Sequence, residues 1–316
     1  MGMREECLIL GGLVPDVYYR VDRWPQRGQD GFLSDETVMA GGCAVNMAVT
    51  AENLGVRAHV VSSVGSDSTA EMLAEYLKEH GLSERFVVCA AGPSGKCFVF
   101  VESDGERTFL TQKGAEGIFS EALAEKILSE EFSAAGITGY YLLNEDAERV
   151  VEVAETLRDR GTKILFDPSP LVDSIRPDLL KRILDVSDVL TPNVAELAVL
   201  EEAEGGSLTA PLPCGGEDSA GCGGLQESAI GDAGRILIVK DGSAGGTVYL
   251  PGGSFRYEAE RCQAVDTTGA GDSFSGALLY AMTKGMNVGD AVRLAAKCAA
   301  KTVTIQGPHG FWRLEE

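Results

Sequence analysis

Asp266-Thr267-Thr268-Gly269-Ala270-Gly271-Asp272, followed by Ser273-Phe274-Ser275-Gly276-Ala277-Leu278, is the stretch on which the reading of this chain turns. Small residues run straight into an apolar helical pattern. Ala270, Gly271 and Asp272 are therefore expected at a helix N-terminus, where backbone N–H groups lack helical partners and the dipole end is positive. Such an end suits an anion. Gly269 and Gly271 let an anion approach the main chain without a side chain in the way. A carboxylate in the same turn, Asp272, can take the proton of a hydroxyl. Alone, the turn also reads as a glycine turn with an ordinary capping aspartate.

Outward from this turn, short β-rich runs alternate with longer amphipathic ones. Strands are expected at 7–10, 58–64, 139–143, 163–166, 189–190 and 236–239, and helices at 44–54, 69–79, 146–160, 194–202, 270–283 and 288–302. Strands alternating with helices of this length indicate βαβ units on a mainly parallel sheet. Two stretches break the pattern. Residues 14–39 are polar, aromatic and strand-like, and 96–111 read as a hairpin turning at Ser103-Asp104-Gly105. They predict a small β-sheet standing off the main body, either a lid or a plain extension of the sheet. Residues 205–224 are rich in Gly, Pro, Ser and Cys and read as a surface loop. With no repeat and no dividing linker, the expectation is one domain over 1–316 with a lid from about 14–39 and 96–113.

The 316 residues suffice for a real core, and 44% hydrophobic with 24% charged residues are ordinary globular values. A formal net charge of −21 repels nucleic acid and anionic lipid, so neither is an expected partner. No apolar run reaches membrane-spanning length, and the acidic start Met1-Gly2-Met3-Arg4-Glu5-Glu6 is a poor secretory signal, so a cytoplasmic protein is expected. The eight cysteines form no CxxC pair and read as small buried hydrophobes rather than zinc ligands or disulfides.

Four segments, in order along the chain, resemble the ribokinase-like (PfkB) carbohydrate kinases. The Asp266 to Asp272 turn is similar to that family's C-terminal signature. Gly41-Gly42-Cys43-Ala44-Val45-Asn46, with Gly55 and Gly65-Ser66-Asp67 beyond, resembles its N-terminal signature. Asn193-Val194-Ala195-Glu196 matches its NxxE pattern, and Lys240-Asp241-Gly242-Ser243-Ala244-Gly245-Gly246 stands where its nucleotide-binding strand and glycine turn lie. The implied fold is a three-layer α/β fold with a mainly parallel central sheet flanked by helices, plus a small β lid.

The resemblance implies ATP-dependent phosphorylation of a hydroxyl on a sugar or sugar-like substrate. It makes Asp272 the general base, and Gly269, Ala270 and Gly271 the anion hole. Asp16, Gly41, Gly42 and Asn46 become the substrate pocket, with a further contact falling at Asn144 or Glu145. Asn193, Lys240, Gly242 and Gly245 fall to the nucleotide, and Glu196 to Mg2+ through water. Where many relatives carry threonine this chain has Lys240, which reaches a phosphate or points to solvent. Some relatives hold K+ beside the anion hole; Asp266 and Thr268 match one half of that site, with Gly307 near the other. His309 reads as a surface or packing residue. Pairing of lids in several relatives points to a homodimer. A nucleoside kinase and a non-catalytic sugar- or nucleotide-binding relative remain open. The only basic residues expected near the pocket, Arg20, Arg23 and Lys113, form no cluster, which leans towards an uncharged sugar or nucleoside. Gly11-Gly12 after the first strand invites a dinucleotide-binding reading, but no GxGxxG follows.

Overall fold

The computed structural model describes residues 5–103, 105–209, 225–232 and 234–312. The tip of the expected turn at Asp104 and most of the 205–224 loop lie outside the described residues. The chain opens with β1 (Glu6–Leu10), β2 (Val14–Val21) and β3 (Leu33–Gly41), then α1 (Cys43–Asn53), β4 (Arg57–Val64), α2 (Ser68–Glu79) and β5 (Ser83–Cys89). It continues through β6 (Lys96–Glu102), β7 (Arg107–Gln112), α3 (Glu121–Leu128), β8 (Ala134–Thr138), α4 (Ala147–Asp159), β9 (Lys163–Asp167), α5 (Pro177–Val186), β10 (Val189–Leu190) and α6 (Val194–Glu204). The last elements are β11 (Ile236–Lys240), β12 (Gly246–Leu250), β13 (Gly253–Tyr257), α7 (Ala270–Lys284) and α8 (Val288–Thr302).

Nine strands form one sheet in the order β13-β12-β11-β10-β9-β8-β1-β4-β5. All neighbours pair in parallel except β11 with β12 and β12 with β13. Alternate residues of β1 feed opposite faces, as the period-2 pleat requires. Cys7 and Ile9 join a core packed by α1, α2, α7 and α8, while Leu8 and Leu10 join one packed by α3 to α6. Three layers follow. The strand order reverses at β1, with β4 on one side and β8 on the other, which opens a crevice at the carboxyl ends of the strands.

The expected strand at 139–143 is a 3-10 turn, Gly139–Leu143, and the strand is β8 immediately before it. Its sequence, Ala-Ala-Gly-Ile-Thr, hides it because α7 lies directly on it: a Cβ on Gly136 would stand 2.7 Å from Leu279 Cδ1. The turn packs closely at Gly139, where an added Cβ would sit 1.7 Å from the Pro168 carbonyl oxygen, so only glycine fits.

The two stretches that break the alternation form a second sheet of four strands, β3-β2-β6-β7. β2 pairs β3 antiparallel and β6 parallel, with Asp16 opposite Met39 and Cys97. This sheet stands over the crevice end of the large one, because β2 follows β1 after three residues.

Candidate active site

Two glycine turns bring the site together. At the first, Gly42 caps α1 with φ 92°, and a Cβ there would lie 2.3 Å from the Gly12 carbonyl oxygen. A Cβ on Gly41 would stand 2.2 Å from Asp16 Oδ2. Only glycines let the start of α1 press against the loop after β1 and against Asp16 on β2. At the second turn, Gly269 caps α7 in the left-handed region at φ 74°. Ala270, Gly271 and Asp272 form the first turn of α7, as expected; Ala270 N donates to the Thr267 carbonyl oxygen at 3.3 Å, and the positive helix end lies at the crevice.

Asp272 meets α1 there. Asn46 Nδ2 donates to Asp272 Oδ2 at 2.7 Å, and the Cys43 thiol also hydrogen-bonds this carboxylate. Burial raises the Asp272 pKa to about 6, while Asn46, Cys43 and Lys240 pull it down and Asp167 pushes it up. Asp16, 6% exposed, is raised further, to about 7, first by burial and then by the Asp272 charge. Two carboxylates with displaced pKa values, close enough to feel each other, mark a site where protons are handled.

The carboxyl ends of β9, β10 and β11 supply the other wall. Asp167 Oδ2 accepts from Ser275 Oγ at 2.7 Å, Thr191 Oγ1 at 3.2 Å and Lys240 Nζ at 3.1 Å. Lys240 therefore turns inward, not to solvent. Its ammonium stands 3.6 Å from where a Cβ of Gly271 would be, beside the first turn of α7. Asn193 and Glu196 form a capping box at the start of α6: Asn193 donates from its backbone N and its Nδ2 to the two Glu196 oxygens, and Glu196 N donates back at 2.9 Å. Burial raises the Glu196 pKa, with Lys240 acting against it. Gly242 and Gly245 form the turn from β11 to β12, at φ 53° and 81°.

Asp266 faces Arg107 of β7, with Nη2 3.0 Å from Asp266 Oδ1 and side chains 15% and 6% exposed. The same carboxylate accepts from Thr268 N at 2.9 Å and Gly307 N at 3.0 Å. The small sheet is thus pinned to the turn before α7. Tyr18 of β2 stands beside Thr268 in the same contact.

Several of these residues were invisible in the sequence. Asp167, Ser275 and Thr191 carry no motif and meet only because β9, β10 and α7 converge. Tyr140, 38% exposed as a residue, stands near Cys43, Cys97 and Asp272, and desolvation of its hydroxyl, followed by the Asp272 charge, pushes its pKa up, whereas Asn144 of the same segment donates to the Tyr141 carbonyl oxygen. Of the two sequence readings of His309, surface or packing, the structure gives the second: it is 7% exposed and hydrogen-bonded at both ring nitrogens. Arg107 had a signal, a lone arginine in the hairpin, but nothing in one dimension pairs it with Asp266, far along the chain.

Among the described residues no group of three or more His, Cys, Asp or Glu side chains is arranged to hold a metal ion, no disulfide joins the six free cysteines, and no helix is long and apolar enough to cross a membrane. The profile of the pfkB family carbohydrate kinases matches residues 5–312. The uncharacterized sugar kinase YegV of Escherichia coli (strain K12) is 31% identical over 304 residues, covering 96% of this chain and 90% of that protein. Among solved structures, the Burkholderia thailandensis nucleoside kinase in complex with inosine shares the fold at a TM-score of 0.76 and 21% identity, covering 96% and 93% of the two chains. Arabidopsis thaliana ribokinase complexed with ribose and ATP does so at 0.74 and 22%, covering 96% and 94%. The match over nearly the whole length, on this three-layer fold, makes the chain a member of the pfkB family of carbohydrate kinases.

Proposed function

We propose that this kinase transfers the γ-phosphoryl group of ATP to a hydroxyl of an uncharged sugar or nucleoside. The observation that carries the reading is the meeting of Asp272, raised to a pKa of about 6, with the open N-terminal turn of α7 and with Asp16. In this reading Asp16 and the start of α1, with Gly41 and Gly42, hold the substrate hydroxyls. Asp272 takes the proton from the attacking one. The N–H groups at Gly269 to Asp272 receive the negative charge that spreads over the transferring phosphoryl oxygens. Asn193, Lys240, Gly242 and Gly245 border the nucleotide. The four-stranded sheet acts as a lid that excludes water as a competing acceptor.

Mg2+ supplies neutralising charge to the phosphates when bound. Glu196 fits it through water: both of its oxygens already accept from Asn193, and no three-ligand protein cage lies nearby among the described residues. Asp266 does not fit a direct K+ ligand, because its carboxylate already carries an ion pair with Arg107 and two backbone hydrogen bonds. Arg107 is a fixed cation where a bound ion would otherwise balance Asp266.

Among the described residues Arg107 is paired with Asp266, Arg20 with the exposed Asp35, Lys113 donates to the Leu143 carbonyl oxygen and Arg23 is exposed, so no basic cluster gathers at the pocket, which favours an uncharged acceptor. The lid also exposes Phe32, Leu33, Val38, Phe109 and Leu110, apolar side chains suited to a homodimer through paired lids. A cytoplasmic location belongs to the same reading.

The test is ADP formation by the purified protein with Mg2+, across sugars, sugar phosphates and nucleosides, each with K+ and with a non-activating cation of equal ionic strength. One or a few uncharged acceptors are expected to drive turnover, at rates within about twofold with and without K+, because Arg107 already neutralises Asp266. Turnover only with phosphorylated sugars overturns the acceptor class, and strict K+ dependence overturns the role given to Arg107. Binding without turnover would instead favour a non-catalytic relative.

Lys240 gives a second check. Lys240→Met is expected to lower kcat about 10²-fold, as removal of one charge-stabilising donor does. Lys240→Arg should recover most of it. Activity of Lys240→Met within about twofold of the parent would place the ammonium outside the reaction and leave it only as the counter-charge of Asp167.

A further inference from the structure

We propose that His309 is a positioning residue for Asp272: its ring, locked in one tautomer between Tyr76 and Asn46, dictates which way the Asn46 amide faces. The argument begins at Asn46, which is 4% exposed and donates from Nδ2 to Asp272 Oδ2 at 2.7 Å. The other end of that amide, Oδ1, lies 2.6 Å from His309 Nδ1. An amide oxygen only accepts, so Nδ1 carries the proton and donates. Reversing the amide would set its oxygen against a carboxylate and its NH2 against an N–H. The amide has one workable orientation for as long as Nδ1 is protonated.

The rest of the ring follows. With the proton on Nδ1, a neutral imidazole has a bare Nε2, and Tyr76 Oη, 2.5 Å away, donates to it. Burial, with a smaller push from His80, lowers the His309 pKa to about 4, so the ring is neutral near neutral pH. A four-member chain results: Tyr76 to His309 to Asn46 to Asp272, every link a hydrogen bond donated towards the carboxylate. The tail that carries His309 is tied at both sides. Asn53 of α1 donates to the Gly310 carbonyl oxygen at 2.9 Å, and the Pro308 carbonyl oxygen abuts Gly269. The chain joins α2, the C-terminal tail, α1 and α7, and its outer end opens on a cavity of about 460 Å³ lined by Tyr76, His80, His309, Phe311, Glu75 and Glu79.

What the chain does to Asp272 is electrostatic. The partners of that carboxylate are Cys43 and Asn46 on α1, Asp167 on β9 and Lys240 on β11, with Asp16 on β2 coupled to it. Asn46 favours the ionised form only with its NH2 turned inward. If the amide is free to rotate, Asp272 loses that donor, its pKa rises, and its lone pairs are no longer aimed. His309 thereby acts through Asn46 and touches no substrate.

The inference rests on the proposed role of Asp272 as base, and the experiment separates the two. The first measurement uses the unaltered protein: the 15N shifts of its three histidines against pH. His309 is expected neutral and protonated on Nδ1 near neutral pH, the form less favoured by free imidazole in water; a ring protonated on Nε2 overturns the proposal. In kinetics, His309→Leu is expected to lower kcat about 10-fold, part of the 10²–10⁴-fold of a positioned base, with KM for ATP within about twofold. It should also move the acidic limb of the kcat/KM profile up by about one pH unit, the size of one lost charge-assisted hydrogen bond. His309→Asn, whose amide nitrogen falls near the Nδ1 position, should restore most of the rate and the limb. A purely structural role would lower Tm without moving the limb, and that result overturns the proposal. If His309→Leu does not fold, Tyr76→Phe frees Nε2 while keeping the ring, and an unmoved limb there overturns the proposal as well. Should Asp272→Asn remain active, the reading of Asp272 falls, while the tautomer measurement still decides the orientation of Asn46.

Discussion

Asp272→Asn is expected to lower kcat by about 10²–10⁴-fold while leaving the KM for ATP nearly unchanged, because it removes the proton acceptor and keeps the shape of the turn. The amide oxygen still accepts from Asn46 Nδ2, so the start of α1 keeps its register against α7. The unaltered enzyme should lose kcat/KM as pH falls through about 6, where Asp272 takes up its proton. The same substitution should raise stability. The folded carboxyl has a pKa above its unfolded value of 3.8, so the folded state binds the extra proton between pH 3.8 and about 6, and stability falls as pH rises through that window. At neutral pH the charge is a net cost to the fold, and Asn removes it. A rise in Tm of about 2–6 °C is expected at neutral pH, with the difference from the parent shrinking as pH falls below 5. An inactive variant with an unchanged or lower Tm would contradict the burial argument; an active one would contradict the base.

Gly269→Ala has the second large effect, and it falls on the fold and the site together. Residue 269 has φ 74°, and an added Cβ would stand 1.8 Å from the Pro308 carbonyl oxygen. Neither the turn nor the tail can give way cheaply, because the Pro308 to Gly310 segment is tied to Asn53 and to Asn46 through His309. The expected cost is about 3 kcal/mol or more, read as a shift in urea midpoint at unchanged slope, with loss of turnover. Gly285→Ala is the control. It has a similar φ of 64° at the end of α7 but open space around the missing Cβ, so it should cost only about 1–2 kcal/mol and keep activity. Equal costs at the two positions would mean that backbone conformation alone, not the closeness of the tail, sets the requirement for glycine at 269.

The contrast between these two glycines shows how far one dimension reaches. The α7 turn was legible because its chemistry is local: a glycine, two small residues and an acid, followed by an apolar helical period, force a helix start that presents N–H groups. The diglycine before α1 and the Asn193–Glu196 capping box were legible for the same reason. The alternation of β1, β4, β9 and β11 with α1, α2, α4, α6, α7 and α8 was legible from period alone. β8 was misplaced because its small residues answer to α7, which packs Leu279 over Gly136 from far along the chain, and not to their own neighbours.

By itself, then, the sequence determined the layered α/β fold, the two glycine turns and the identity of the acid at the helix start, since each depends on residues within a few positions of one another. Tertiary structure decided the rest. It turned Lys240 inward to Asp167, paired Arg107 with Asp266, and drew His309 from an unremarkable tail into line with Asn46 and Asp272. Those contacts join residues far apart in the chain. Their strength comes from burial, which makes an unpaired charge or polar atom costly and so selects partners that only the folded chain brings within reach.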